Sequence, residues 1–227
     1  MDVPTGEAPR SGNPLLVVEL RTLSHVVCSL CTMIAILELS AALRDEMRGV
    51  CWQEHPECPS FDDLRLVRLR HHGFDGRTHE GELVVHVPLA NEVLAIFERI
   101  YAAGFPIHSA RRIEHFRGSD PESMAANNSS GFNFRVVDGT ANLSQHALGR
   151  AIDINPVQNP WVRGARIDPE AGSAYLDRSQ LRPGMIVRPG PVVSAFEAAG
   201  WRWGGDVPNA ADYHHFSKQI QLTHCGR

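Results

Sequence analysis

The residue that most constrains this chain is Asp153, which sits in the otherwise apolar run Ala151-Ile152-Asp153-Ile154. Such a run, stopped by Asn155-Pro156, reads as a short buried strand. A carboxylate carried into that setting without a partner is costly, so the fold has to bring a counter-charge or hydrogen-bond donors to it. His146 precedes it and His215 follows much later. Two imidazoles and one carboxylate form a ligand set that holds a catalytic zinc ion and leaves a fourth position for water. Each residue also has an ordinary reading, His146 as a hydrogen-bonded histidine and Asp153 as a cap or salt-bridge partner. Residue chemistry alone permits a metal site without selecting one.

Around that strand the patterning predicts a mixture of short elements. Residues 62–70 and 82–87 read as strands, and His72-Gly73-Phe74-Asp75-Gly76 between them is turn chemistry. Residues 89–103 place Val93, Phe97, Ile100 and Tyr101 at helical spacing, closed by Gly104. Residues 107–116 read as a strand, Asp120-Pro121 as the start of a short helix, and residues 132–137 as strand-like after a loop. Residues 192–199 read as a helix capped by Gly200, and residues 201–203 and 213–217 as the last strands. Strands and helices do not alternate regularly, which predicts an α+β fold rather than a doubly wound one.

With 227 residues the chain is long enough for one good core. The formal charge of -4 leaves no basic surplus to neutralise phosphates, which sets nucleic acid aside as a partner. Residues 1–43 read as an N-terminal segment, residues 44–222 as the folded domain and residues 223–227 as a tail. Residues 22–37 contain no Asp, Glu, Lys or Arg, and Ser40-Ala41-Ala42 offers the small residues of a signal-peptidase site. Asp2, Glu7 and Glu19 spoil the basic start of an export signal, which leaves open an amphipathic helix packed on the domain, or a true start at Met33 or Met47. The uncharged stretch is short for a membrane span. Cys28-x-x-Cys31 lies in an apolar run with no strand ahead of it, an unpromising setting for redox chemistry. Cys51, Cys58 and Cys225 leave room for one disulfide in an exported protein, with the pairing undetermined.

Two stretches carry a resemblance: Ser144-Gln145-His146-Ala147-Leu148-Gly149-Arg150-Ala151-Ile152-Asp153, then Trp201-Arg202-Trp203-Gly204-Gly205-Asp206 followed by Asp212-Tyr213-His214-His215-Phe216. In that order they resemble the VanY/VanX-type D-alanyl-D-alanine peptidases, part of a wider zinc group with the lysostaphin-type enzymes and the hedgehog signalling domain. The similarity extends through Cys58-Pro59, Phe74-Asp75-Gly76, residues 81–86 and residues 123–128, and so covers roughly residues 47–217. It implies a small antiparallel sheet flanked by helices, with a zinc cleft. It implies Zn2+ held by His146, Asp153 and His215, and Asp212 as the general base that takes a proton from the attacking water. Many relatives carry Glu where this chain has Asp212, and a shorter side chain has to sit closer to the metal. Arg135 resembles the family's arginine after a Ser-Gly-aromatic stretch, positioned for the charge that develops on the substrate carbonyl.

Ser144, His214 and Trp203 are the expected substrate-binding residues. Each has a plainer alternative: Ser144 shapes the loop that presents His146, His214 is a solvated strand residue, and Trp203 belongs with Trp201 to the core. Asp206 is either an acceptor behind a ligand imidazole or a turn residue. The resemblance implies a zinc metallopeptidase acting on peptidoglycan stem peptides, as a D-Ala-D-Ala carboxypeptidase or an L-Ala-D-Glu endopeptidase. The alternative is a zinc-holding binding module without turnover. A wall substrate implies the cell envelope or secretion. The sequence sets neither the scissile bond nor the oligomeric state.

Overall fold

The structure, a computed structural model, describes Met1 and residues 34–220. The larger sheet is antiparallel, in the order β1 (Ala35–Leu37), β2 (Leu64–His72), β3 (Thr78–His86). Alternation along β2 and β3 sends side chains to two cores. Val67, Leu69, Leu83 and Val85 enter one, while Leu64, Leu66 and Val84 enter the other. The second core is closed by Leu43 and Met47 of helix α1 (Ala41–Met47), with Phe61, Phe132 and Phe134. The first is covered by helix α2 (Ala90–Ala102), which buries Ala90, Val93, Ile96, Phe97 and Ile100 along one stripe. That helix ends at Gly104, whose φ of 68° suits a residue without a Cβ. The amides of Gly104 and Phe105 there donate to the carbonyls of Tyr101 and Ile100, satisfying the last turn.

A short parallel pair, β4 (Ser109–Ala110) and β5 (Asn128–Ser129), flanks helix α3 (Asp120–Ala125). The small sheet that carries the site holds β6 (Ala151–Asp153) at one edge. A separate hairpin, β7 (Trp161–Arg163) and β8 (Arg166–Asp168), comes next in the chain, then helix α4 (Pro191–Glu197). β9 (Arg202–Trp203) and β10 (His215–Ser217) complete the small sheet in the order β6-β10-β9, all antiparallel. Ile152, Trp203 and Phe216 from its strands join α2 and α4 in the first core, with Phe196 and Phe216 stacked at 4.0 Å between ring centres. The hairpin is fixed to the chain just ahead of β10, where the amide of Val162 donates to Ala211.

The α+β expectation holds, and its differences from the structure are local. Residues 107–116 form only the two-residue β4 and a 3-10 turn at Ile113–Phe116, because Ile107, Ala110 and Ile113 turn into different parts of the core instead of alternating along a ladder. Residues 132–137 form no strand; Phe132 and Phe134 plug the second core and Val136 makes one isolated bridge to Leu143. β1 and the first three residues of α1 lie ahead of the expected domain start at residue 44, with Leu39 and Leu43 buried. Of residues 22–37 only 34–37 are described, and Ala35–Leu37 is strand. Cys28, Cys31, Cys225 and residues 221–227 lie outside the described residues. Among the described residues Cys51 and Cys58 form no disulfide. Among the described residues no helix is long and apolar enough to cross a membrane.

Candidate metal centre and active-site cleft

His146 is presented by a 3-10 turn, Gln145–Leu148, whose start is capped by Ser144 Oγ accepting from the His146 amide at 3.2 Å. The turn ends at Gly149, with φ 64°, where an added Cβ would lie 2.8 Å from the His86 nitrogen. A glycine three residues after His146 is therefore required by both backbone and space. Asp153 closes β6 two residues later than Ala151, and the antiparallel register sets it directly opposite His215 on β10. The turn and the two strands deliver the three side chains to one point.

At that point the side chains meet through ring nitrogens and carboxylate oxygens. His146 Nδ1 lies 2.6 Å from the Gly131 carbonyl, which can only accept, so the proton sits on Nδ1 and the lone pair on Nε2. That Nε2 stands 3.0 Å from Asp153 Oδ2 and 3.3 Å from His215 Nδ1, and His215 Nδ1 stands 2.9 Å from Asp153 Oδ1. One ligand atom from each of the three lies within 4.8 Å of the others. Asp153 and His146 are 2% and 3% exposed, so water does not share the load. Burial pushes the Asp153 carboxyl up, but His146 and His214 outweigh it and hold the group well below the usual carboxylate range. A buried ionised carboxylate flanked by two imidazole rings needs a cation among them, either a proton on a ring or a metal ion. The donor set therefore fits a metal ion, and the chemistry of nitrogen and oxygen donors at this count suits a three-ligand site with an open position.

The cleft above these residues has a volume of about 780 Å3 and is lined by Arg135, Ser144, His146, Asp153, Asp212 and His215, among others. Asp212 precedes β10 in a tight turn in which the His215 amide donates to the Asp212 carbonyl. Gly204 makes the turn possible, since a Cβ there would meet the Asp212 carbonyl at 2.7 Å and crowd the Cβ atoms of both Asp212 and His215. His214 Nε2 stands 3.0 Å from Asp212 Oδ1 but off the hydrogen-bond line, so Oδ1 keeps no hydrogen-bond partner among the described residues. Asp212 thus stands at the cleft paired with the His214 ring by charge, without an aligned hydrogen bond.

The other expected site residues fall into two groups. Arg135 lines the cleft, with its guanidinium 2.7 Å from Asp120 Oδ2. Ser144 is 5% exposed and spends its oxygen on the turn that presents His146, which is the loop-shaping role. His214 also borders the cleft, but the solvated reading fails: it is 3% exposed, and its Nδ1–H donates to Asn159 O at 2.8 Å. Burial pulls its pKa down, yet Asp212 and Asp153 push it up to about 10. Both His214 and His215 reach the cleft because His214 precedes β10 and escapes the strand's alternation. Trp203 does not line the cleft: it is buried, stacks toward Phe216 and donates its indole N–H to Tyr213 O at 2.9 Å. Its indole is held on the core side of the small sheet. Asp206 pairs with Arg188 at 2.6 Å on the surface and touches no ligand imidazole.

The sequence reading missed Asp120 as the partner of Arg135, and the β7–β8 hairpin whose Trp161, Arg166 and Asp168 form part of the cleft wall. The hairpin had a local signal in Gly164, at φ 60°, between two three-residue strands. The Asp120–Arg135 contact had none, since it joins a helix start to a distant loop.

Residues 138–218 match the family described as D-alanyl-D-alanine carboxypeptidase. The matched stretch contains His146, Asp153, Asp212 and His215, and it bears out the resemblance to the VanY-like peptidases. Comparison with curated proteins and with solved structures gave no match.

Proposed function

From the premise that residues 138–218 are those of a D-alanyl-D-alanine carboxypeptidase-like peptidase, we propose that the chain is a zinc metallopeptidase hydrolysing a peptide bond in peptidoglycan stem peptides. The observation that carries this reading is the convergence of His146 Nε2, Asp153 and His215 Nδ1 on one point at the cleft. Zinc held by these three would act as a Lewis acid and lower the pKa of water to about 7. Gly131 O fixes the His146 tautomer so that Nε2 is free to ligate. Asp212, which lines the cleft beside the ligands, takes the proton of the water that attacks the peptide carbonyl and returns it to the leaving amine. Water adds across the C–N bond, giving a carboxylate and an amine. Arg135 faces the oxygen that gains charge during the attack, and Ser144 keeps the His146 turn in shape. A wall substrate puts the protein's work in the cell envelope or outside the cell.

Mass spectrometry of purified muropeptides after incubation with the zinc-loaded full chain tests the reading. Stem-peptide fragments are expected, with none from chelator-treated protein. The Asp212→Ala variant should keep its zinc and lose a factor of about 100 to 10,000 in kcat. Zinc at one per chain with no fragment from the wild type would replace this reading with that of a binding module.

A further inference from the structure

His214 is a buried ionisable group in the cleft that the proposed chemistry does not use. Its backbone is pinned to β6, where the His214 carbonyl accepts from the Ile154 amide at 3.1 Å, one residue past Asp153. Its ring is pinned by Nδ1–H, which donates to Asn159 O at 2.8 Å. Asn159 is fully buried and held at both ends of its side-chain amide. Its Oδ1 accepts from the Ile186 amide at 2.6 Å and from Arg178 at 3.1 Å, and its Nδ2 donates to the Gly184 carbonyl at 2.9 Å. The acceptor behind the His214 ring is therefore a fixed one.

With Nδ1 committed, the other ring nitrogen, Nε2, faces two carboxylates. Asp212 Oδ1 lies 3.0 Å away and Asp153 Oδ2 4.0 Å away. A lone pair on Nε2 would oppose both anions, so this edge carries N–H. The N–H is not aligned with Asp212 Oδ1, which leaves an attraction of charge across 3.0 Å at a site largely shielded from water. Among the described residues no other Lys, Arg or His pairs with Asp212. An aspartate reaches only a short way, so its rotation about the side-chain bonds decides whether a carboxylate oxygen meets the water.

We propose that His214 is a positioning residue, whose ring holds Oδ1 of the Asp212 carboxylate so that Oδ2 is turned to the attacking water. The proposal rests on the peptidase reading above, with Asp212 as the base, and adds the residue through which that base is set. His214 itself touches neither water nor substrate in this role. Asn159 O and the β6 backbone hold the ring, and the ring holds the carboxylate.

Two substitutions separate the edges of the ring. In His214→Gln the amide nitrogen falls near the Nε2 position and still donates toward Asp212, whereas in His214→Asn it falls near Nδ1 and keeps only the link to Asn159. Both are assayed as zinc-loaded full chains on a purified muropeptide that the wild type cuts. His214→Asn is expected to lose about 10- to 100-fold in kcat with KM within about twofold of wild type. His214→Gln should be at least about tenfold faster than His214→Asn, the scale of one hydrogen bond to a charged group. Zinc affinity, measured by competition with a chromophoric chelator, should stay within about threefold in both, because neither removes a ligand. In an Asp212→Asn background, adding His214→Asn should cost less than about twofold further in kcat, since the group it positions is already gone. Equal losses in the Gln and Asn variants, a raised KM, or a full further loss in the Asp212→Asn background overturns the positioning role and leaves the peptidase reading intact. A fall of about tenfold in zinc affinity also overturns it, by making His214 a metal ligand. A wild type that cuts no muropeptide overturns the peptidase reading and this one with it.

Discussion

Asp153 and His215 stand directly opposite each other on antiparallel strands β6 and β10, with Oδ1 of one 2.9 Å from Nδ1 of the other. Because side chains alternate along a strand, a one-residue slip between these strands would turn His215 away from Asp153. Phe216, buried opposite Ile152, pins the register by packing into the first core. The spacing of this candidate metal centre is therefore enforced from the far side of the sheet by an apolar contact.

Replacing Asp153 with Asn keeps the shape and removes the charge. Zinc affinity is expected to fall by at least about 100-fold, while the far-UV spectrum of the metal-free protein stays as in the wild type. Competition against a chromophoric chelator measures this. Wild-type affinity in the variant would show that Asp153 is not a ligand.

Gly131 supports the site through its backbone. Its carbonyl accepts from His146 Nδ1, and a Cβ there would come within 2.6 Å of the Val84 carbonyl. Gly131→Ala has to displace that segment and with it the orientation of His146. A loss of about 10- to 100-fold in zinc affinity is expected, the scale seen when a ligand's supporting partner is removed. Isothermal titration with zinc is the check, and an unchanged constant would mean that the Gly131 carbonyl does not orient His146.

Two buried histidines away from the cleft give the fold a pH dependence. Burial lowers the pKa of both His71 and His86 below the ordinary 6.5, with Arg150 adding to the effect at His86. In the unfolded chain they titrate near 6.5. The unfolded state then binds more protons between the two values, so stability is complete above about pH 6.5 and falls as the pH drops below it. The slope is at most about 1.4 kcal/mol per pH unit for each histidine. Because His214 and His215, whose pKa values are raised, act in the opposite sense over the same range, the contribution is read by difference: between pH 7.5 and 5.5 the urea midpoint of metal-free His86→Gln should fall less, or rise more, than that of the metal-free wild type. An identical change of midpoint in the two proteins would contradict the assignment.

Trp203 separates core from cleft. Phe in its place loses the indole hydrogen bond to Tyr213 and some packing against Phe216. The expected result is a loss of about 1 to 3 kcal/mol in stability with KM for a stem peptide within twofold of wild type. A raised KM with unchanged stability would return Trp203 to the substrate site.

The sequence by itself determined which residues are candidate ligands and the local form of the chain that bears them. An aspartate inside Ala-Ile-Asp-Ile has to be a buried, partnered carboxylate, whatever surrounds it. Gly149 and Gly204 were visible as residues of the motif before their reasons were. The main helix was legible from its apolar stripe and Gly104, because those signals lie within a few turns of one another. What only the tertiary structure decided were the relations between distant segments. Trp203 faces the core because β9 lies beside β10, and strand alternation alone could not say which face that would be. Residues 132–137 fail to form a ladder because Phe132 and Phe134 fill a second core whose other walls come from residues 39–66. The pairing of Arg135 with Asp120 and of Arg166 with Asp138 and Asp168 joins residues with no shared local pattern. Short-range sterics and burial are encoded locally, whereas charge pairing across a cleft depends on which surfaces folding brings within a few ångströms.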